Sequence, residues 1–133
     1  MSFRFETGLV GMSQYLLSVP HDSDEEPTME TMDPAELEAA MAATGAIIEE
    51  LTSTGAFVFA GGLMPPSSAI TVDNTGESLS TVNGPFVEAP EYLGGFWVID
   101  VADEKTALDW AARASKALGG RIEVRAFQEP PGQ

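Results

Sequence analysis

The spacing of apolar and polar positions divides the chain into short strands and two amphipathic helices. Tyr15-Leu16-Leu17-Ser18-Val19 is an apolar run closed by Pro20 and predicts a buried strand. Residues 21–32 are acidic and polar, with Pro27 among them, and read as a loop. Asp33 is then an N-cap candidate, Pro34 suits the first helical position, and Glu36 completes a capping-box pattern. Leu37, Met41, Thr44, Ile48 and Leu51 recur every three or four residues, forming an apolar stripe widened by Ala40 and Ile47. Gly55 is the expected stop.

The second half repeats this logic with denser punctuation. Residues 56–60 are apolar between Gly55 and Gly61-Gly62, which predicts a second buried strand, and Pro65-Pro66 forbids regular pairing just beyond it. Residues 69–73 alternate, residues 74–77 carry turn chemistry, and residues 79–82 return as the second arm of a hairpin. Residues 83–100 then combine a turn at Gly84-Pro85, an expected bend at Gly94-Gly95 and a strand over 96–101. Asp103 caps a second helix whose inward stripe is Ala107, Ala111, Ala114 and Leu118, with Trp110 at its edge and Gly119-Gly120 as its end. Ile122, Val124 and Ala126 alternate with Glu123, Arg125 and Phe127 in a last strand.

The order β-α-β, hairpin, β-α-β predicts an α+β fold, a ferredoxin-like sandwich with both helices on one face of an antiparallel sheet. The other face would carry apolar residues with no helix above it, and such a face commonly finds a partner sheet. The expectation is a homodimer with two sheets face to face and a cavity between them. The chain reads as residues 1–11, an N-terminal extension, then one domain over 12–128 and a flexible Pro/Gly-rich tail at 129–133.

Composition narrows the function. The chain has 133 residues, enough for one domain with a real core. It contains no cysteine, which removes disulfides, thiolate metal sites and a Cys nucleophile. No apolar run is long enough to span a bilayer and no secretory signal is visible, so the expected location is cytoplasmic. Six basic residues face 21 acidic ones, for a formal charge of −15. Residues 5–104 hold no Lys or Arg, and five of the six cations lie between Lys105 and Arg125. Such a surface repels phosphate backbones and anionic membranes, so neither nucleic acid nor membrane is an expected partner. A solubilising surface explains the charge better than adaptation to a high-salt cytoplasm or a basic partner.

Several motifs stand out together: the Tyr15-Leu16-Leu17 strand, Gly62-Leu63-Met64-Pro65, the turn Asn83-Gly84-Pro85-Phe86 followed by Glu88, and Leu93-Gly94-Gly95-Phe96-Trp97-Val98-Ile99-Asp100-Val101. Trp110-Ala111-Ala112-Arg113 and Ile122-Glu123-Val124-Arg125 complete the set. Together they resemble the YCII-related family, in its Asp-Gly-Pro-Phe (DGPF) branch. The resemblance implies a ferredoxin-like fold that dimerises as an α/β barrel, and little about function. Three positions depart from the branch's pattern: Asn83 replaces the signature Asp, Pro90 stands where a basic residue is usual, and Gly61 where Glu is common. The first helix also lacks the His that another branch places there in a His–Asp pair.

The candidate chemistry is correspondingly narrow. His21, the single histidine, has the intrinsic pKa of a proton shuttle near neutrality. Glu88 is the carboxylate for acid/base work beside the turn, and Glu91, across Pro90, is a second carboxylate more consistent with a solvated role. Asn83, Phe86, Phe96, Trp97 and Arg125 are the ligand-binding candidates. Against ligand binding, the residues favour an Asx-turn for Asn83, core or interface packing for the rings, and for Arg125 an ion pair with an acidic neighbour over a ligand carboxylate. Phe96 and Trp97, adjacent in a strand, must point to opposite faces. Residues 22–26 lack the Gly and terminal Glu of a calcium loop, Gly61-Gly62 lacks the Lys of a phosphate loop, and no cofactor is implied. Two function classes fit: a small-molecule-binding protein acting as a cofactor-free acid/base enzyme, or a non-catalytic ligand-binding or interaction module accessory to a regulator.

Overall fold

The computed structural model describes residues 13–21, 33–85 and 92–129. In chain order the elements are β1 (Ser13–His21), α1 (Pro34–Ser53), β2 (Phe57–Gly62), a short 3-10 turn (Pro66–Ser68), β3 (Ile70–Asp73), β4 (Ser80–Asn83), β5 (Tyr92–Val101), α2 (Glu104–Leu118) and β6 (Glu123–Ala126). The main sheet runs β2-β5-β1-β6, with every neighbouring pair antiparallel. β3 and β4 form a separate two-stranded hairpin. An antiparallel four-stranded sheet with two helices in this order is compatible with a ferredoxin-like α+β fold. Among the described residues no helix is long and apolar enough to cross a membrane.

Both helices begin where the side chains dictate. The Asp33 carboxylate accepts from the backbone N–H groups of Ala35 and Glu36 at 3.2 and 3.3 Å. Asp103 accepts from the Thr106 hydroxyl at 2.7 Å and the Thr106 N–H at 2.9 Å. These two bonds, the hydroxyl first, hold its carboxyl below the ordinary 3.8. A lowered carboxyl contributes fully at neutral pH, and its contribution is lost as pH falls through the folded-state value. α2 ends on Gly119 at φ 74°, the left-handed cap that glycine adopts without strain.

The core forms between the helices and one face of the sheet. Two cross-strand rows supply it: Phe57, Ile99, Tyr15 and Ala126 in one, and Ala60, Trp97, Leu17 and Val124 in the next. Tyr15, Leu17, Trp97 and Ile99 are buried there against Ile47 and Leu51 of α1 and Ala107, Ala111 and Ala114 of α2. The α2 stripe is the expected one. Of the expected α1 stripe, Ile47 and Leu51 are buried and Leu37, Ala40, Thr44 and Ile48 partly buried, whereas Met41 is exposed. Arg113 of α2 pairs with Glu50 of α1 and lies 4.6 Å from the Trp110 ring centre.

Three strands differ from expectation for local reasons. β1 continues through Pro20 to His21, because β6 pairs only with Tyr15 to Ser18 and leaves the Pro20 side without a ladder to interrupt. In β2, the register shift between Phe57 and Phe59 bulges the strand, so Phe59 turns away from the core and is exposed. Gly94 and Gly95 lie inside β5 and are buried, not at a bend. A Cβ on Gly95 would stand 2.9 Å from the Gly61 carbonyl oxygen, so only glycine lets β5 lie this close to β2. Gly95→Ala should therefore lower stability by about 1–3 kcal/mol through overpacking. Gly62→Ala, with nothing within 4 Å of the added atom, should change it by less than about 0.5 kcal/mol. Urea unfolding of the two variants checks this, and equal midpoints would refute the close-approach account.

Candidate functional site

The sheet face turned away from the helices is built by the residues that alternate with the core. Its rows are Phe59, Val98, Leu16 and Arg125, and then Gly61, Phe96, Ser18 and Glu123. No described helix lies on this face. Its character changes across the strands. The β2–β5 side is aromatic, with the Phe59 and Phe96 ring centres 5.9 Å apart. The β6 edge is charged. A cleft of about 700 Å³ opens at that edge, lined by Leu16, Ser18, Pro20, Tyr92, Leu93, Arg121, Ile122, Glu123 and Arg125. Small-molecule sites commonly occupy about 300–1,000 Å³ and combine an apolar lining with a few polar groups.

Each polar group at the cleft is there for a reason of strand phase. Tyr15 and Leu17 face the core, so Leu16 and Ser18 must face the cleft. Val124 packs on the core, so Glu123 and Arg125 project the other way. Arg121 and Ile122 enter from the link between α2 and β6. Two of the chain's six basic residues thus meet at one cleft. Two others are committed elsewhere: Lys105 pairs with Asp109 at 3.2 Å, and Arg113 with Glu50.

The candidate residues fall in different places. Arg125 lines the cleft, and Phe96 is half-buried on the same open face two strands away. Trp97 faces the opposite way and is buried beneath the helices. Asn83 is exposed at the end of β4, paired with Ile70, and the turn begins after it at Gly84 (φ 119°), whose N–H donates to the Ala69 carbonyl. The hairpin's Asx-turn belongs instead to Asp73, which accepts from the Thr75 hydroxyl at 2.6 Å and the Thr75 N–H at 2.9 Å and is thereby held below its ordinary pKa. His21 is the last residue of β1, and its backbone pairs with that of Tyr92, a cleft residue. Phe86, Glu88 and Glu91 lie outside the described residues, as does the acidic stretch 22–32. Among the described residues no group of three or more His, Asp or Glu could hold a metal ion.

Leu16, Ser18, Tyr92, Arg121 and Ile122 are cleft residues outside the set of ligand-binding candidates read from the sequence. For Leu16 and Ser18 the signal was present in the sequence, in their alternation with Tyr15 and Leu17. For Arg121 there was none, because its position depends on how the α2–β6 link folds.

The fold and site together define a small α+β protein with an open sheet face and a mixed apolar and charged cleft. The sequence profile of the YCII-related domain matches residues 14–129, and the chain belongs to that family. It is also similar to an uncharacterised protein of Rhizobium meliloti (strain 1021), with 38% identity over 65 residues, covering 47% of this chain and 52% of the relative. The match thus spans about half the length of that curated relative.

Proposed function

We propose that the protein is a small-molecule-binding homodimer of the cytoplasm, in which the open sheet faces of two copies enclose the ligand. The observation that carries this reading is the cleft of about 700 Å³ on the one sheet face without a helix over it. Three features support a second copy as the cover. Phe59 on the open face, 54% exposed, and Leu93 in the cleft lining, 45% exposed, leave large apolar surface uncovered. The β3–β4 hairpin exposes Ile70, Val72, Leu79 and Val82, each between 58% and 63%, and a two-stranded hairpin is at best marginal alone in water. Exposed apolar surface of this kind marks an interaction face, and a sheet-to-sheet dimer is the α/β barrel expected of the DGPF branch. With the aromatic rows covered, the cleft becomes an enclosed, less polar space, where each hydrogen bond to a ligand strengthens. A regulator-accessory role needs no change in this binding site, and the substitution of Asn83 for the signature Asp favours binding over catalysis.

Native mass spectrometry of the purified protein tests the reading. The expected mass is twice the 14.1 kDa of one chain plus a retained small molecule, with Phe59→Asp giving single chains that carry nothing. A single-chain mass for the wild type at micromolar concentration, without adduct, would overturn it.

A second reading, cofactor-free proton transfer, draws on the pairing of His21 with Tyr92, which places the one histidine's backbone beside the cleft. An acid or base must come nearly into contact with its substrate. The expected outcome under this reading is exchange of a ligand C–H for deuterium in heavy water that His21→Gln removes. No exchange by the wild type would end it and leave binding alone.

A further inference from the structure

Resting on the open face as a small-molecule site, the geometry points to the chemical class of the ligand: a monocarboxylate with an aromatic body. Its carboxylate sits on Arg125 and its body lies across β1 toward Phe96. The register sets this direction. Arg125 of β6 stands opposite Leu16 of β1, which stands opposite Val98 of β5, and Phe96 is one row along on the same face. Two strand spacings separate β6 from β5, about 10 Å, a distance suited to a head group and a ring joined by a short chain. Along that path the face changes from charged through aliphatic Leu16 to the Phe59–Phe96 ring pair.

Charge selects the head group. The cleft lining holds Arg125 and Glu123 on the same face of β6. A monocarboxylate suits that pair better than a phosphate dianion, which Glu123 would repel more strongly. Among the described residues Arg125 has no ion-pair partner, so its planar fork of donors can take a carboxylate in two parallel hydrogen bonds. The Ser18 hydroxyl, between Glu123 and Phe96 in its row, offers one further polar contact, and Leu16, Leu93 and Ile122 supply the apolar floor and walls.

The test is a titration of the full, isotopically labelled chain followed by NMR, reading the backbone amides of Leu16, Ser18, Glu123 and Arg125. The probes are 3-phenylpropionate, its neutral analogue 3-phenylpropionamide, and inorganic phosphate. The acid should bind at least about tenfold tighter than the amide, the difference expected of one charge-assisted contact, and phosphate should bind more weakly than the acid. Arg125→Gln should bring the acid to the affinity of the amide while the native mass stays unchanged, and Arg125→Lys should restore part of the preference. Equal binding of acid and amide at these residues would overturn the carboxylate assignment and leave the open-face reading standing. Tighter binding of phosphate would overturn the carboxylate class. Loss of the two-chain mass in Arg125→Gln would make Arg125 a subunit contact and overturn its role here. No shift from any probe would overturn both this assignment and the site itself.

Discussion

The two-residue period of β5 is the constraint on which the rest depends. A strand that commits Trp97, Ile99 and Val101 to the helices must present Phe96, Val98 and Asp100 on the other side. β1 obeys the same rule with Tyr15 and Leu17 against Leu16 and Ser18. Two helices cover one face, and the other is left to carry apolar rows and a cleft. Core and site are therefore two sides of the same strands, and shifting either strand by one residue would exchange them. The close approach at Gly95 and Gly61 fixes β5 against β2 and so helps to hold that phase.

The cleft's chemistry follows from a scarcity of positive charge. With residues 5–104 free of Lys and Arg, every Lys and Arg among the described residues belongs to α2, β6 or the link between them. α2 spends Lys105 and Arg113 on ion pairs with Asp109 and Glu50. Lys116, in its last turn, stands where the helix dipole favours a cation. Arg121 and Arg125 flank the cleft. In a chain of net −15 these two arginines are the cations of the cleft lining, and the proposed carboxylate would meet Arg125 there.

Much of this was legible in the residues. The antiparallel α+β order, the caps at Asp33 and Asp103, the α2 stripe and the separate hairpin all follow from local spacing and turn chemistry. So does the division of Phe96 and Trp97 between faces, although which ring lay inward required the register with Leu17 and Ala60. What local reading missed depends on contacts distant in sequence. The bulge that sends Phe59 outward arises from pairing with β5, and Gly94-Gly95 looks like a bend until β2 is placed beside it. Met41 follows the α1 spacing yet is exposed, because spacing alone does not say how much of a helix face is covered. Of the site, Arg125 was visible through its alternation with Val124, whereas Arg121 was hidden in a link with no periodicity. The motif carrying Asn83 marks the family more than the site, since Asn83 stands on the hairpin and outside the cleft lining.

The central claim is that the helix-free sheet face is the functional face, closed by a second copy. A crystal structure of the purified protein tests it most directly. The account predicts two chains meeting through their open faces, with Phe59 and Phe96 buried between them and the cleft beside Arg125 enclosed. Chains that leave this face in solvent and meet elsewhere, or not at all, would contradict it.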